Sequence, residues 1–366
     1  MRTENNNMKL PPVWIYKIVV AIRNRLRKMY YAFVPANVAV FEMAQHFWVS
    51  KSLGVVCELD IAEIIGSGTK HIDEIAKESS VDPASLYRLL RALASEGVFK
   101  EVQDHVFSNT KKSASLIPGE GSMKYMIQHQ LNTDNWAVVN ELKYSVTTGK
   151  SAVQKLFGEG IFEHIGKDPE KNALYNKAMI NTSDLTGQAI LGAYNFSGIR
   201  HLVDVGGGKG KLIASIIAKY PQMEATLLDL PHVVADAEKL FEEFGVAKRV
   251  KVEAGSFFDI MPNGGDAYIM KNILHNFDDE SSVELMKRIR KHIHTDGRLL
   301  IAEMVIPEGN TPFYGKMFDL QMLLGTDGSK ERTRKEFADI FSQAGFKLTR
   351  VVDLVSPFSI IEGHPV

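Results

Sequence analysis

A short glycine-rich stretch, Gly206-Gly-Gly-Lys-Gly210, follows the apolar run His201–Val205 and precedes a helical pattern over Lys211–Tyr220. Glycines at such a junction let a ligand approach the backbone, and the amides of a helix start favour polar or anionic groups. Spacing excludes two familiar loops. A dinucleotide fingerprint needs a third glycine where this chain has Lys211. A phosphate loop of the Walker type needs Ser or Thr where it has Leu212. The glycines that remain, Gly206, Gly208 and Gly210, lie behind an acid, Asp204. A second acid, Asp229, ends the next apolar run 19 residues past Gly210. A carboxylate at that place can accept both hydroxyls of a ribose. Loop and acid together predict a nucleoside-containing cofactor; the plainer reading is an ordinary strand–helix turn.

Three further residues are placed for chemistry. His275 lies just past a fourth apolar run, Ala267–Leu274, where doubly wound sheets present their ligands. Its imidazole titrates near neutrality and suits a general base; otherwise it caps the helix that follows, Asp278–His294. Glu303 lies near the end of the run Arg298–Val305, where a carboxylate is costly unless paired. Glu331 stands between Lys330 and Arg332, a context nearly as natural for a solvated surface acid.

These residues need a frame, and the chain is long enough for about two domains. Its 366 residues are 45% hydrophobic and 24% charged, with a net charge of -1. That balance excludes disorder and any bulk attraction to nucleic acid or anionic membrane. The single cysteine, Cys57, cannot form an intrachain disulfide, so a reducing, cytoplasmic setting is expected. From His201 onward, short β-rich runs (His201–Val205, Ala225–Leu230, Arg249–Ala254, Ala267–Leu274, Arg298–Val305) alternate with helical stretches. This predicts a doubly wound parallel α/β sheet, with Phe346–Val355 and Phe358–Glu362 as an edge hairpin.

The N-terminal half reads as helices. Within it, His71–Lys77, Val81–Leu93 and a hairpin over Val98–Val102 and His105–Phe107 predict a winged helix. Asp82 is the expected N-cap of the second helix, with Pro83 at its first position. That helix carries Arg88 and Arg91, but Pro83-Ala84-Ser85 offers nothing to read base edges, so nucleic acid is not expected. The first 35 residues are basic, with Arg2, Lys9, Lys17, Arg23, Arg25, Arg27 and Lys28 against Glu4. Their apolar run Ile15–Ile22 is too short and too charged to span or stably insert into a membrane, and a signal peptide is not expected. A helix packing on a partner subunit is the expected use, with contact to a membrane surface as the alternative. The predicted domains are 1–35, a basic helical extension; 36–110, the winged helix; 111–195, a helical linker; and 196–366, the α/β domain.

Four segments taken together, Asp204-Val-Gly-Gly-Gly-Lys-Gly210, Leu228-Asp-Leu-Pro-His232, Ile269–His275 with Asp279-Glu280, and Gly328-Ser-Lys-Glu-Arg-Thr333, resemble the S-adenosylmethionine-dependent O-methyltransferases of the plant caffeic acid and hydroxyindole type, with their microbial relatives. The winged-helix half matches too. The resemblance implies a class I methyltransferase sheet of seven strands preceded by an all-helical winged-helix dimerisation domain, and a homodimer through its N-terminal helices. It implies that Ser183, Asp204, Gly206, Gly208, Asp229, Leu230, Ser256, Phe257 and Lys271 bind S-adenosylmethionine, and that no metal is needed. It implies that His275 is the base, with Glu303 and Glu331 flanking its imidazole. Phe162, Met179 and Met317, with Trp136, are the expected lining for a small aromatic substrate; Met126, Tyr175 and Met322 are further large apolar groups, and Met and aromatic residues at helical spacing are more often core. Two positions depart from the family pattern: Asn276 stands where an acid commonly follows the base, and Ser256 where an Asp commonly borders the adenine. The first keeps non-methylating chemistry open (hydroxylation, decarboxylation or pericyclic rearrangement). A winged-helix regulator that uses the cofactor as a ligand is the other alternative.

Overall fold

The computed structural model describes residues 10–119 and 121–366, except for the side chains of 180–185. The chain divides into two compact units. One comprises Arg23–Asn140 and Phe162–Thr182; the other comprises 10–22, Glu141–Ile161 and Ser183–Val366.

In the first unit, the sequence signals of the winged helix act as expected. The carboxylate of Asp82 accepts the amide of Ser85 at 2.8 Å and Pro83 opens the helix Pro83–Ser95. Leu86, Leu90 and Leu93 recur at helical spacing and are buried against Ile61, Ile75, Phe99 and Phe107. Each such side chain contributes roughly 1.5–3 kcal/mol on burial. The wing differs from the expected hairpin. It is a three-stranded antiparallel sheet of β1 (Thr69–His71), β2 (Phe99–Gln103) and β3 (Val106–Asn109) in the order β1-β3-β2. His71, expected to open a helix, instead ends β1 opposite Val106 of β3, and the helix begins at Ile72 with His71 as its cap.

The second unit is built on one twisted sheet. In chain order its strands are β4 (His201–Val205), β5 (Glu224–Asp229), β6 (Val250–Ala254), β7 (Gly265–Lys271), β8 (Ile293–Ile306), β9 (Arg332–Thr333), β10 (Phe346–Asp353) and β11 (Phe358–Pro365). Their order is β10-β11-β8-β7-β4-β5-β6, with the two-residue β9 beside the end of β8. Strands β4 to β8 run parallel and β10-β11 is an antiparallel edge pair. Seven strands on one path, preceded in the chain by the winged helix, match the expected α/β class I arrangement, except that the N-terminal part carries a three-stranded sheet and is not all-helical. Alternate residues of β7 supply opposite faces: Ala267 and Ile269 enter one core, Tyr268 and Met270 the other. Burial on both faces explains why these strands read as continuous apolar runs rather than alternating ones.

Two expected boundaries move. β7 ends at Lys271, not Leu274, because Asn272 turns into the left-handed region at φ +57° and the chain then closes a 3-10 turn over Leu274–Asn276. The helix after it spans Asp279–His292, capped by Asp278, and β8 starts at once at Ile293, earlier than the Arg298 start read from the sequence. The order of the strands matters more than their ends. From β4 the chain goes outward to β5 and β6, then returns to place β7 on the other side of β4. The loops after β4 and β7 therefore diverge at a topological switch point, the crevice where open α/β sheets bind ligands.

Candidate active site

The glycine loop leaves β4 at this switch point. Gly206 has φ +71° and its amide still donates to the Leu228 carbonyl of β5 at 2.8 Å. A Cβ on it would lie 2.5 Å from Ile273 Cδ1, so neither its conformation nor its surroundings admit a side chain. Gly208, at φ +63°, has open space where a Cβ would go, and donates its amide to Asp229 Oδ2 at 2.8 Å. The other oxygen of Asp229 accepts the Leu230 amide at 2.7 Å. Asp229 thus shapes the loop, and each of its oxygens keeps a further lone pair for a ligand hydroxyl. Leu230 is 42% exposed beside it. Phe257 is half-buried and meets Phe258 and Phe277 at ring-centroid distances of 5.0 and 6.1 Å. Ser256 folds its own loop: its hydroxyl accepts the Phe258 amide at 3.1 Å. The side chain of Ser183, in the helix Pro169–Ala193, lies outside the described residues.

Asp204 and Lys271 form the electrostatic part of the loop. Asp204 is 1% exposed and neither carboxylate oxygen has a hydrogen-bond partner among the described residues. Burial pushes its carboxyl up to about 7, against the opposing pull of the Lys271 ammonium. Burial likewise pushes Lys271 down, and the charge of Asp204 works against that shift. A buried carboxylate without donors is costly and fits a ligand that brings donors or positive charge. The apolar ring of Phe257, the paired acceptors of Asp229 and the glycine cradle suit adenine, ribose and close backbone approach in turn. The residues present fit a nucleoside cofactor.

The Asp204 shift has a consequence for stability. Its carboxyl titrates near 3.8 when unfolded and about 7 when folded, so between these values the folded chain binds more protons. Stability therefore falls as pH rises through that window. Asp204→Asn is expected to melt roughly 4–8 °C above wild type at pH 8, and close to it at pH 4. Melting curves across pH check this, and a pH-independent difference would refute it.

The second half of the site follows β7. His275 sits in the 3-10 turn and is 6% exposed. Its Nδ1 lies 2.8 Å from Oε1 of Glu331, 56 positions along the chain. A carboxylate at Nδ1 requires that nitrogen to carry the hydrogen, which leaves Nε2 as the basic nitrogen. Burial acts to lower the imidazole pKa, but the Glu331 hydrogen bond and the charges of Glu303 and Glu331 outweigh it, and the net shift is upward. Glu331 itself is 4% exposed, so the surface-acid reading fails. The helix-capping reading of His275 fails as well, because Asp278 fills the cap, its side chain accepting the Ser281 amide at 2.7 Å.

Glu303 is placed differently from its expected role. It is 1% exposed near the C-terminal end of β8, and its Oε1 accepts the amides of Ile273 and His275 at 3.1 and 3.2 Å. It holds the backbone of the turn rather than the ring, and reaches the imidazole only through its charge. Burial pushes its own carboxyl upward. Asn276, the departure from the family pattern, donates its side-chain amide to the Asn272 carbonyl at 3.0 Å and closes the same turn.

Two members of this group carry no signal of their own in the sequence. Phe318, on the helix Gly315–Gly325, places its ring 6.1 Å from the imidazole, whereas the expected Met317 beside it is 72% exposed. Arg332, in the segment Gly328–Thr333 that carries part of the family resemblance, is wholly buried against the turn. In the other unit, Phe162 meets Tyr175 edge-on at 6.1 Å and is 56% exposed; Trp136 packs under Lys51; Met179 is half-buried.

Comparison with known proteins agrees with this geometry. Residues 139–347 match the O-methyltransferase domain family, and residues 41–119 match the O-methyltransferase dimerisation domain. The phenazine O-methyltransferase PhzM of Lysobacter antibioticus is 35% identical over 335 residues, covering 91% of this chain and 97% of that protein. The crystal structure of LaPhzM superposes with a TM-score of 0.84 at 35% identity, covering 91% of this chain and 100% of the other. The methyltransferase CalO1 of calicheamicin biosynthesis, in its SAH-bound form, superposes with a TM-score of 0.81 at 30% identity, over 90% and 98% of the two chains. Matched in both of its parts and nearly from end to end, the chain belongs to the S-adenosylmethionine-dependent O-methyltransferases.

Proposed function

We propose that this enzyme methylates the hydroxyl of a small aromatic or heteroaromatic metabolite, with His275 as general base. The observation that carries this reading is the buried His275–Glu331 pair at the switch point, 2.8 Å apart. S-adenosylmethionine, when bound, supplies a methyl group on a sulfonium whose departure leaves a neutral thioether. The limitation is then the nucleophile, since a neutral hydroxyl attacks poorly. Glu331 holds the proton on Nδ1, so Nε2 is the atom that takes the hydroxyl proton. The carboxylate then faces an imidazolium that it stabilises, as in other acid–histidine pairs. Glu303 keeps the turn from rotating the ring away. Gly206, Gly208, Asp229, Leu230, Phe257 and Lys271 are the proposed cofactor contacts, with Ser256 shaping their loop and Asp204 balancing the cofactor's positive charge. Phe318 supports an aromatic acceptor, because a planar ring packs against it beside the base. The phenazine relative supports the same class.

Incubation with methyl-labelled S-adenosylmethionine and a panel of phenolic and heteroaromatic hydroxy compounds tests the proposal. A mass gain of one methyl on oxygen is expected. Product formed without that gain would show one of the non-methylating chemistries and overturn it.

The proposed assembly is a homodimer through the N-terminal helices, in a reducing cytoplasm. The dimerisation-domain match supports it, as do large apolar side chains left open on the helix Ala36–Glu58, among them Phe41, Phe47 and Trp48. Cys57, buried with its thiol pushed up to about 12 by that burial, is an inert packing residue. Among the described residues no helix is long and apolar enough to cross a membrane. Light scattering well above micromolar concentration should give twice the chain mass of 40.8 kDa, and a monodisperse monomer would refute the dimer.

A further inference from the structure

We propose that Arg332 is the positioning residue for His275, fixing the turn that carries the base by holding the backbone on either side of it. The inference rests on the general-base reading of His275.

Arg332 is the largest fully buried side chain of the described residues, at 0% exposure. Burying a guanidinium is costly unless its donors are matched, and here they are matched on the turn. Nη1 donates to the Leu274 carbonyl at 2.9 Å, and Nη2 to the Phe277 carbonyl at 2.8 Å and the Ser282 hydroxyl at 3.1 Å. Nε pairs with Asp279 Oδ1 at 2.9 Å. The carbonyls it holds belong to the residue just before His275 and to the second residue after it. The carbonyl of His275 itself accepts the Lys330 amide at 3.0 Å.

Three consecutive residues therefore grip one turn in three ways. Lys330 holds the His275 backbone, Glu331 holds the ring and Arg332 holds the flanking carbonyls. The gripping segment is itself anchored. Arg332 and Thr333 pair as β9 with Val305 and Ile306 of β8, the strand that carries Glu303. Thr333 then forms a capping box with Glu336 at the start of the helix Arg334–Gln343. The distance between Glu331 and the imidazole is thus set by a rigid strand on one side and by Arg332 on the other. A lysine cannot replace this fork, because one ammonium does not reach four acceptors spread around a plane.

The test compares wild type, Arg332→Lys and the reference variant Glu331→Gln. Nitrogen-15 NMR of the His275 ring reports its tautomer and titration directly, and kcat is measured across pH. The charged groups acting on the ring are Glu331, Glu303 and Lys271. In Arg332→Lys the Kd for S-adenosylhomocysteine should stay within about 3-fold, while kcat falls roughly 10–100-fold, the usual cost of misplacing a reacting group. The ring titration and the kcat midpoint should both move down, toward those of Glu331→Gln, with loss of the pure Nδ1–H tautomer. Should Arg332→Lys fail to fold, Ser282→Ala removes one acceptor alone and should shift the ring titration the same way by less. An activity loss that only follows the folded fraction, with tautomer and midpoint unchanged, would overturn the proposal. If His275→Ala keeps its activity, the general-base reading fails, but the ring NMR still decides whether Arg332 positions His275.

Discussion

His275→Ala should lose the chemical step and keep the cofactor. The expected fall in single-turnover methyl transfer is about 10²–10⁴-fold, the usual worth of a positioned base. S-adenosylhomocysteine should bind nearly as before, since no loop contact of Gly206, Gly208 or Asp229 involves the imidazole. The loss should be largest for acceptors with a high hydroxyl pKa, because a phenolate already ionised needs no base. In wild type the rate should rise with pH as the imidazole becomes neutral. The Glu331 and Glu303 carboxylates stabilise the imidazolium and raise its pKa, so the midpoint should lie above the ordinary value of about 6.5. Glu331→Gln removes one charge and the charged hydrogen bond, so its midpoint should move down while its plateau rate falls. The alanine variant should also melt earlier, because Glu331 is left buried with neither oxygen paired; Oε2 already lacks a partner among the described residues. An unchanged rate with a weakly acidic acceptor would mean that the enzyme works by proximity alone.

Asp229→Ala should abolish cofactor binding at working concentrations. The carboxylate is expected to accept two ribose hydroxyls, and hydrogen bonds to a charged acceptor contribute roughly 1.5–3 kcal/mol each. Two such bonds correspond to a rise in Kd of about 10²–10⁴-fold. The effect has a second source: the same carboxylate accepts the amides of Gly208 and Leu230, so its removal also frees the glycine loop. Asp229→Asn keeps an acceptor oxygen but no charge and should fall between the two. Calorimetry with S-adenosylhomocysteine measures both variants. Equal binding to Asp229→Ala would refute the cofactor assignment at this strand end.

How much of this was legible in advance differs from residue to residue. The strands β4 to β8 and the winged helix were readable because their signals are local: apolar runs bounded by turns, Asp82 before Pro83, and glycines at a strand end. Asp229 was readable for the same reason, its spacing from the loop following from one strand–helix–strand unit. The chain's own pattern also marked His275 as a strand-end histidine. The third strand of the wing was not legible, since three residues with no strong pattern become a strand only when β3 offers them an edge. The early end of β7 was hidden likewise, because a left-handed Asn272 is selected by the turn that follows and not by its neighbours in sequence.

The alphabet of this site, its glycines, acids and histidine, is set by the sequence alone; the tertiary structure decides which of them meet. Glu331 reads equally well as a surface acid until β9 docks beside β8 and buries it against a ring 56 positions away. Glu303 could have faced that ring, and the register of β8 gives it the amides of Ile273 and His275 instead. Arg332, in the charge-rich stretch Lys330–Lys335, has the local marks of a solvated side chain, yet it is among the most buried groups of the described residues. The physical reason is common to all three. Apolar periodicity reports which face of an element turns inward, but the burial of a charge depends on partners that only the packing of distant segments brings within hydrogen-bond reach.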